Sequence, residues 1–264
     1  MSDVIAHTPG DQVLTRAELA LIPTPAGTLT HRPIPHVELV QAIEESLDFR
    51  KIGIVSESYA IDKTGNKMFG VMNLAAQNDD VRFSLGLRNS HDKSMRLSMV
   101  AGMNVFVCSN MAFSGDFQPI LAKHSKNFRL KDAVSVGVDQ VQRNFEPMTK
   151  QIVAWKAEKL SDTDAKLIIY RAFIEAGVDL PKHLDREVHR LYFEPIYPEF
   201  QARTLWSLSN AFTSAFKVLD PVPQMKATAA LAGFLDSKVS DIRVASFAPV
   251  GTGSEVIDAS FVEA

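Results

Sequence analysis

The spacing at which apolar residues recur changes once along this chain. That change restricts the fold classes that the chain can adopt. Between residues 81 and 88, apolar residues alternate strictly with polar or small ones, the pattern of a strand with one buried face. Beyond Arg129, apolar residues recur at steps of four and three, the heptad spacing of an amphipathic helix: Val134, Val138, Val141, Phe145, Met148, Ile152 and Trp155. The pattern predicts an α+β fold, with an antiparallel β-meander followed by a mainly α-helical half.

The N-terminal half is predicted to combine helices with antiparallel strands. A short helix starts at the capping box of Thr15 and Glu18, and a longer one spans residues 36–48 after Pro35. Runs rich in β-branched and alternating residues, bounded by turn residues, predict strands at 51–61, 67–75 and 81–88. A further strand pair is expected at 95–100 and 104–108, with Gly102 in the connection.

The helical half is predicted to contain four helices. Pro147 lies inside the heptad run, so the first of them is expected to kink or break near Glu146. The others are expected at 161–176, 202–219 and 223–238. We therefore expect a β-rich part carrying the polar motifs, a helical part packed on it and a polar tail, at 1–128, 129–240 and 241–264.

Composition and charge exclude several classes of protein. The 264 residues carry 28 Lys and Arg against 31 Asp and Glu, which excludes a globally basic coat. The single cysteine, Cys108, excludes an internal disulfide framework and a multi-cysteine zinc site in one chain. Neither a signal-peptide pattern nor an apolar run of roughly 20 residues is present. We expect a cytoplasmic protein with no membrane partner and no cofactor.

The densest polar cluster follows the alternating strand and has counterparts further along the chain. Its members are Asn89, Ser90, His91, Asp92, Cys108, Asn110 and His124. If the strands pair as predicted, several of these side chains converge. The plainest interpretation is a turn whose side chains bond their own backbone, beside a buried thiol.

Two chemical interpretations compete with that one. In the first, Cys108 is a nucleophile, His91 or His124 is its base, and Asn110 or Asp92 orients the imidazole. In the second, His91, Asp92, Cys108 and His124 bind a metal ion, although they are too scattered to resemble a compact zinc motif. No spacing in the sequence identifies a catalytic residue.

The same region is locally basic. Between Arg82 and Asp132, eight Lys and Arg stand against three Asp, so this segment carries +5 while the whole chain carries −3. The candidates for nucleic-acid binding are Arg88, Lys93, Arg96, Lys123, Lys126 and Arg129. Phenylalanines between them, including Phe83 and Phe128, would stack bases while the cations bind phosphates. The alternative is a solvated surface above core phenylalanines.

These motifs resemble the phage/plasmid-like family called domain of unknown function 932. The residues that carry the resemblance are the segments 87–94 and 105–110, His124, and the helical pairs Leu205-Trp206 and Asn210-Ala211. Lys93 stands where the family often has glycine. The resemblance implies that Asn89, His91, Asp92, Cys108, Asn110 and His124 act together, and it implies a setting on mobile elements. It supplies no reaction.

We therefore hypothesise a mobile-element protein that binds or anneals single-stranded nucleic acid as a homo-oligomer. The predicted meander followed by a long helix is similar to the core of single-strand annealing recombinases, in which such a helix would pack against a neighbouring subunit. One alternative is an enzyme built on Cys108 with His91 or His124. Another is an inhibitor or adaptor that binds a host protein, with Trp206 as its anchor.

Overall fold

A computed structural model describes residues 12–78, 81–105, 110–113, 120–174 and 180–247. The strands are β1 (Gln12–Leu14), β2 (Ile54–Ile61), β3 (Lys67–Asn78), β4 (Val81–Ser90), β5 (Leu97–Val105), β6 (Asn110–Phe113) and β7 (Ile120–Ala122). The helices are α1 (Arg16–Leu19), α2 (His36–Phe49), α3 (Leu130–Ala157), α4 (Asp162–Ile174), α5 (Asp185–Phe193), α6 (Leu205–Ala215) and α7 (Pro221–Phe247). The predicted α+β class is confirmed.

The seven strands form one antiparallel sheet in the order β1-β2-β3-β4-β5-β6, with β7 also paired to β5. The turn between β2 and β3 is built around Gly65, whose φ of +70° lies in the left-handed region that favours glycine. Strands β6 and β7 pair with different parts of β5, at residues 102–105 and 97–99. The meander predicted from the sequence is therefore present, and it is larger than expected.

Strand β4 is buried on both faces, whereas the alternating pattern predicted one exposed face. The strand lies between β3 and β5, and Ser84 on the polar face is buried. Its hydroxyl donates to Asn73 Oδ1 at 2.6 Å, and Asn73 Nδ2 donates to Ser56 Oγ at 2.9 Å. The serine and asparagine side chains on this face thus form hydrogen bonds with one another across three strands.

The predicted turn at Gly102 is wrong. Residues 97–105 form the single strand β5, in which Gly102 pairs with Ser84 on one side and Phe113 on the other. Two neighbouring strands therefore hold the backbone at Gly102 in the ladder, and this tertiary pairing overrides the turn preference of a lone glycine.

Of the kink or break predicted near Glu146, the break is wrong, because α3 runs for 28 residues through Pro147. Val141, Met148 and Ile152, on either side of the proline, remain buried in the core of the chain. A proline costs a helix interior about 3 kcal/mol, which the burial of a long apolar stripe offsets. Since that stripe packs inside its own chain, it is not free to contact a neighbouring subunit.

Helix α6 is the central helix of the C-terminal half. Its N-cap Thr204 accepts a hydrogen bond from the backbone N–H of Ser207 at 3.1 Å, and ten of its 11 residues are buried. Trp206 is only 5% exposed, so it packs in the interior and is not available as a surface anchor for a partner. Asn210 donates to the Trp206 carbonyl at 2.9 Å, which satisfies this buried amide locally.

One hydrophobic core joins the sheet to the helices. It extends from Leu39 and Ile43 of α2 through Leu85 of β4 to Phe212 of α6 and Leu235 of α7. None of the helices in the described ranges combines the length and apolar composition that a bilayer crossing requires.

At Gly137, α3 packs tightly against side chains of the sheet, which provides a stability test. A Cβ at this position would lie 2.7 Å from Ile120 Cγ1 and 2.9 Å from Met99 Cε. We expect Gly137→Ala to lower the free energy of unfolding by about 1–3 kcal/mol, measured by urea denaturation. Gly233→Ala in α7 is the matched control. A Cβ there meets nothing within 4 Å, so a gain of about 0.5–1 kcal/mol is expected. Equal stabilities for wild type and Gly137→Ala would contradict the packing.

Candidate functional site

A cleft of about 430 Å³ lies where three segments meet at one end of the sheet. Strand β4 ends at Ser90, β7 ends at Ala122 opposite Leu97, and His31 forms a bridge with Ser125. The antiparallel register therefore brings distant parts of the sequence together. The cleft is lined by Thr30, His31, Lys93, Ser94, Met95, Arg96, Lys123, His124 and Ser125. Three of the six predicted cations, Lys93, Arg96 and Lys123, line this one cavity.

Four buried histidines lie at and beneath this cleft, and we call them the histidine cluster: His31, His36, His91 and His124. They are 8%, 2%, 4% and 5% exposed, respectively. The rings of His36 and His91 stack with centroids 3.9 Å apart, and those of His31 and His124 stack at 5.6 Å.

The segment around Ile34 holds the inner pair of the histidine cluster. Pro33 and Pro35 restrict this segment to extended conformations, which leaves the Ile34 carbonyl available as an acceptor. That carbonyl accepts from Asn89 Nδ2 at 2.8 Å and from His91 Nε2 at 3.0 Å. Asn89 Nδ2 also lies 2.9 Å from Nδ1 of His36. The predicted motif residues Asn89 and His91 are thus buried and are bonded to a part of the chain that the motif does not include.

Burial controls the protonation of this cluster. It lowers the pKa of His36 to about 4, with a further contribution from the charge of His91. It likewise lowers the pKa of His124 to about 4, assisted by His31 and His91, and it lowers the pKa of His91. These three rings are therefore neutral at pH 7. In His36 the hydrogen bonds match this state, because Nε2 donates to the Gly65 carbonyl at 3.0 Å while Nδ1 faces the Asn89 amide.

The outer pair differs in its hydrogen bonding. His31 Nδ1 lies 3.0 Å from the His124 carbonyl and its Nε2 lies 3.2 Å from the His91 carbonyl. Because carbonyl oxygens only accept, a ring nitrogen of His31 forms its hydrogen bond where it carries the hydrogen. Neither ring nitrogen of His124 has a partner, and Nδ1 of His91 and Oδ1 of Asn89 also lack one.

The rest of the motif forms the turn that carries the cations. Met95 N donates to the hydroxyl of Ser90 at 3.2 Å, and Ser94 N donates to Asp92 Oδ1 at 3.0 Å. Partial burial alone would raise the pKa of Asp92, but hydrogen bonds from Ser94 and Ser90 and the charge of Lys67 lower it. The predicted interpretation of a self-bonded turn is therefore correct for this segment.

Lys93 has a φ of 65°, a left-handed conformation that glycine adopts without cost. A side chain there costs roughly 1–2 kcal/mol. The backbone thus explains why glycine suits this position, and the lysine supplies a cation to the cleft despite the strain.

The other predicted cations lie in different surroundings. Arg88 is half-buried, its Nε has no hydrogen-bond partner, and burial together with the charge of Arg96 lowers its pKa. Lys126 is exposed and does not line the cleft. Arg129 is exposed and forms an ion pair with Asp132 at 3.7 Å.

The predicted convergence of Asn110 with the histidines is wrong. Asn110 starts β6 and pairs with Val105, which pairs in turn with Val81. The cleft lies at the other end of β5, near Ser98, which is seven residues or about 23 Å away. Cys108 lies outside the described residues, so its use with His91 or His124 stays a prediction.

The base-stacking interpretation of the phenylalanines changes, whereas a metal site that includes Cys108 stays a prediction because Cys108 lies outside the described residues. Phe83 is buried in the core, where it stacks on Phe145 at 4.5 Å, so it is not free to stack a base. Phe128 is half-buried against the same core. Within the described part of the chain, no group of three or more His, Cys, Asp or Glu side chains is arranged to hold a metal ion.

Sequence reasoning missed His31 and His36 as members of the site. The available signal was the segment 31–36, in which two of the seven histidines flank an alternation of prolines. Such a segment cannot bond its own backbone as a helix does, so its carbonyls need donors from elsewhere.

Comparison with known proteins identifies the family of the chain. Residues 30–229 match the family model described as a domain of unknown function (DUF932). The chain belongs to this family. The DUF932 match begins at Thr30, the first residue of the cleft, and includes the whole histidine cluster and all three cations that line the cleft. No curated protein and no solved structure matches the chain.

Proposed function

We propose that this protein binds single-stranded nucleic acid through the basic cleft, without chemical turnover. The observation that carries the proposal is the meeting of Lys123 with Lys93 and Arg96 around one cavity, although Lys123 follows β7 and the other two precede β5. Hydroxyl groups of Thr30, Ser94 and Ser125 line the same cavity. Cations with hydroxyl donors are the groups that proteins use to bind phosphate oxygens.

The size of the cleft favours a single strand over a duplex. A volume of about 430 Å³ is within the range of small-ligand pockets, which is too small to enclose a duplex. A flexible single strand can bend a phosphate into such a cavity, whereas a duplex presents its phosphates on a stiff convex surface.

The strained backbone at Lys93 supports a role for its charge. Glycine would adopt this turn without strain. A lysine at a φ of 65° therefore does not stabilise the turn itself. Its ammonium group lines the cleft together with Arg96 and Lys123, and the repulsion among the three is relieved when a phosphate binds.

Phosphate contacts, rather than base contacts, are expected to dominate the affinity. Phe83 is in the core, at the end of β4 that lies away from the cleft, which removes one candidate for base stacking. Binding should therefore be insensitive to sequence and sensitive to salt.

A role in recombination or replication on mobile elements follows from the family resemblance and from the meander β2-β3-β4 with the long α3. Homo-oligomerisation is part of the same hypothesis. Sedimentation velocity with and without an oligonucleotide tests it.

The proposed binding is tested by fluorescence anisotropy with a labelled oligothymidine and a duplex of equal length. We expect tighter binding of the single strand and a fall of log K with log salt, with a slope of about −2 for three phosphate contacts. Absence of binding at low salt, or equal affinity for both probes, would contradict the proposal.

A further inference from the structure

One buried ring spans the two walls of the cleft. The walls are the turn 91–96, between β4 and β5, and the segment 123–125, which follows β7. Nδ1 of His31 lies 3.0 Å from the carbonyl oxygen of His124, and Nε2 lies 3.2 Å from the carbonyl oxygen of His91. Each carbonyl belongs to a different wall, and His31 is only 8% exposed. The ring is therefore placed to hold the walls together.

A neutral ring satisfies only one of these two carbonyls. A carbonyl oxygen only accepts hydrogen bonds, and a neutral imidazole has one N–H and one lone pair. In either tautomer, one nitrogen of His31 turns its lone pair toward a carbonyl oxygen at hydrogen-bond distance, which is unfavourable in a buried site. The imidazolium has two N–H groups and donates to both oxygens. The geometry around His31 is thus complementary to the protonated ring.

The charged and titratable groups around His31 come from its own segment, from α2 and from both walls. They are Arg32, His36, His91, Asp92, Lys93, Arg96, Lys123 and His124. Among these described residues the acid is Asp92, whose carboxylate accepts hydrogen bonds from Ser94 and Ser90. None of the described residues that line the cavity is acidic. A positive charge on His31 therefore faces no carboxylate across the cavity, and a bound anion would supply that partner.

Burial keeps the other members of the histidine cluster neutral at pH 7. It lowers the pKa of His36 and of His124 to about 4, and it lowers the pKa of His91. In addition, the positive charge of His31 contributes to the lowered pKa values of His91 and His124. A charge on His31 thus acts against charges on its neighbours, and His36 and His124 stay neutral between pH 8 and pH 6.

We propose that His31 is a positioning residue of the cleft, and that binding of a phosphate group is linked to uptake of a proton by its ring. The proton comes from solvent and adds to the nitrogen that carries the lone pair. The doubly protonated ring then holds both carbonyls, and so fixes the wall that carries Lys93 and Arg96 relative to the wall that carries Lys123. The inference rests on the proposed function and adds its dependence on pH. Since linkage is reciprocal, a ligand that favours the protonated ring binds more tightly at lower pH.

The test is the affinity for a labelled oligothymidine at pH 8 and pH 6 and at one salt concentration, measured by fluorescence anisotropy. The backbone phosphates and the bases of this probe do not titrate in that range. Uptake of one full proton changes the affinity by about tenfold per pH unit, so we expect binding at least about threefold tighter at pH 6. Calorimetry in two buffers that differ in their enthalpy of ionisation measures the proton uptake directly.

His31→Gln locates the effect, because its amide donates to a carbonyl but has no titrating ring. We expect this variant to bind the strand with equal affinity at pH 8 and pH 6. A purely structural role of His31 predicts weaker binding at both pH values with the wild-type ratio retained. His183→Gln, at an exposed position in the helical half, is the matched control and should keep the wild-type ratio. Fluorescence of the buried Trp155 and Trp206 checks that each variant is folded.

The outcomes separate this inference from the proposed function. Calorimetry on the wild type needs no variant to fold, and it also uses sulfate, a compact dianion that requires no strand. Proton uptake with sulfate but no binding of the strand supports the role of His31 and overturns the proposed function. Strand binding without proton uptake, or a pH ratio that persists in His31→Gln, overturns the role of His31 and leaves strand binding intact. Failure of both the strand and sulfate to bind overturns both.

Discussion

At pH 5 the protein is expected to be less stable than at pH 7.5 by about 4 kcal/mol from His36 and His124 alone. Burial lowers the pKa of each ring from an ordinary value of 6.5 to about 4. As the pH falls below 6.5, the unfolded chain takes up protons that the folded chain does not, which costs about 2 kcal/mol per ring at pH 5. His91, whose pKa is also lowered, adds to the loss.

The pH window distinguishes this effect from ordinary acid denaturation. Loss of stability through the histidine cluster begins near pH 6.5 and is largely complete near pH 4. Carboxylates with lowered pKa values, such as those of Glu18 and Glu187, start from an ordinary value of 4.5 and act below it. Measurements between pH 7.5 and 5 therefore isolate the histidines.

Urea unfolding monitored by tryptophan fluorescence measures this loss, because Trp155 and Trp206 are both buried. His36→Gln keeps a donor for the Gly65 carbonyl and should remove about 2 kcal/mol of the difference between pH 7.5 and 5. His183→Gln, at an exposed position, should leave the difference unchanged. A free energy of unfolding that stays constant over this range would show that His36 and His124 are not buried in neutral form.

Replacing two cations of the cleft, as Lys93→Gly with Lys123→Ala, is expected to weaken single-strand binding roughly 25-fold at 0.1 M salt. Each phosphate contact contributes about 0.7 to the slope of log K against log salt, which corresponds to about fivefold per contact at this concentration. Both lysines line the cleft and are exposed, so their side chains are not needed for packing.

Glycine is chosen at position 93 because it relieves the left-handed backbone. The substitution is expected to stabilise the fold by about 1 kcal/mol, so weaker binding cannot be attributed to unfolding. The matched control, Lys182→Ala with Lys226→Ala, removes the same charge from exposed positions in the helical half. An equal loss of affinity in this control would mean that net charge, rather than the cleft, determines binding.

The fold class was predictable because the spacing of apolar residues follows from which face of a strand or helix is buried. The alternation around Leu85 and the heptad spacing around Val138 each identify one element, and both elements are present. The errors at Gly102 and Pro147 have a common cause. Both residues weaken an isolated strand or helix, but here neighbouring strands or a buried stripe hold them in place.

The site was only partly predictable, because strand register cannot be derived from local pattern. The segment 88–94 and Lys123 with His124, which the sequence analysis grouped, both adjoin one end of β5. Asn110 was grouped wrongly, because a short return strand placed it at the far end. His31 and His36 were missed since their contacts with Asn89 and His91 join parts of the chain that are more than 50 residues apart.

The salt dependence of single-strand binding, compared between wild type and the variant with Lys93→Gly and Lys123→Ala, tests the basic cleft most directly. Two lost phosphate contacts should make the slope of log K against log salt shallower by about 1.4. The control variant at Lys182 and Lys226 should keep the wild-type slope. Parallel slopes for the wild type and the cleft variant would mean that the strand does not bind in the cleft.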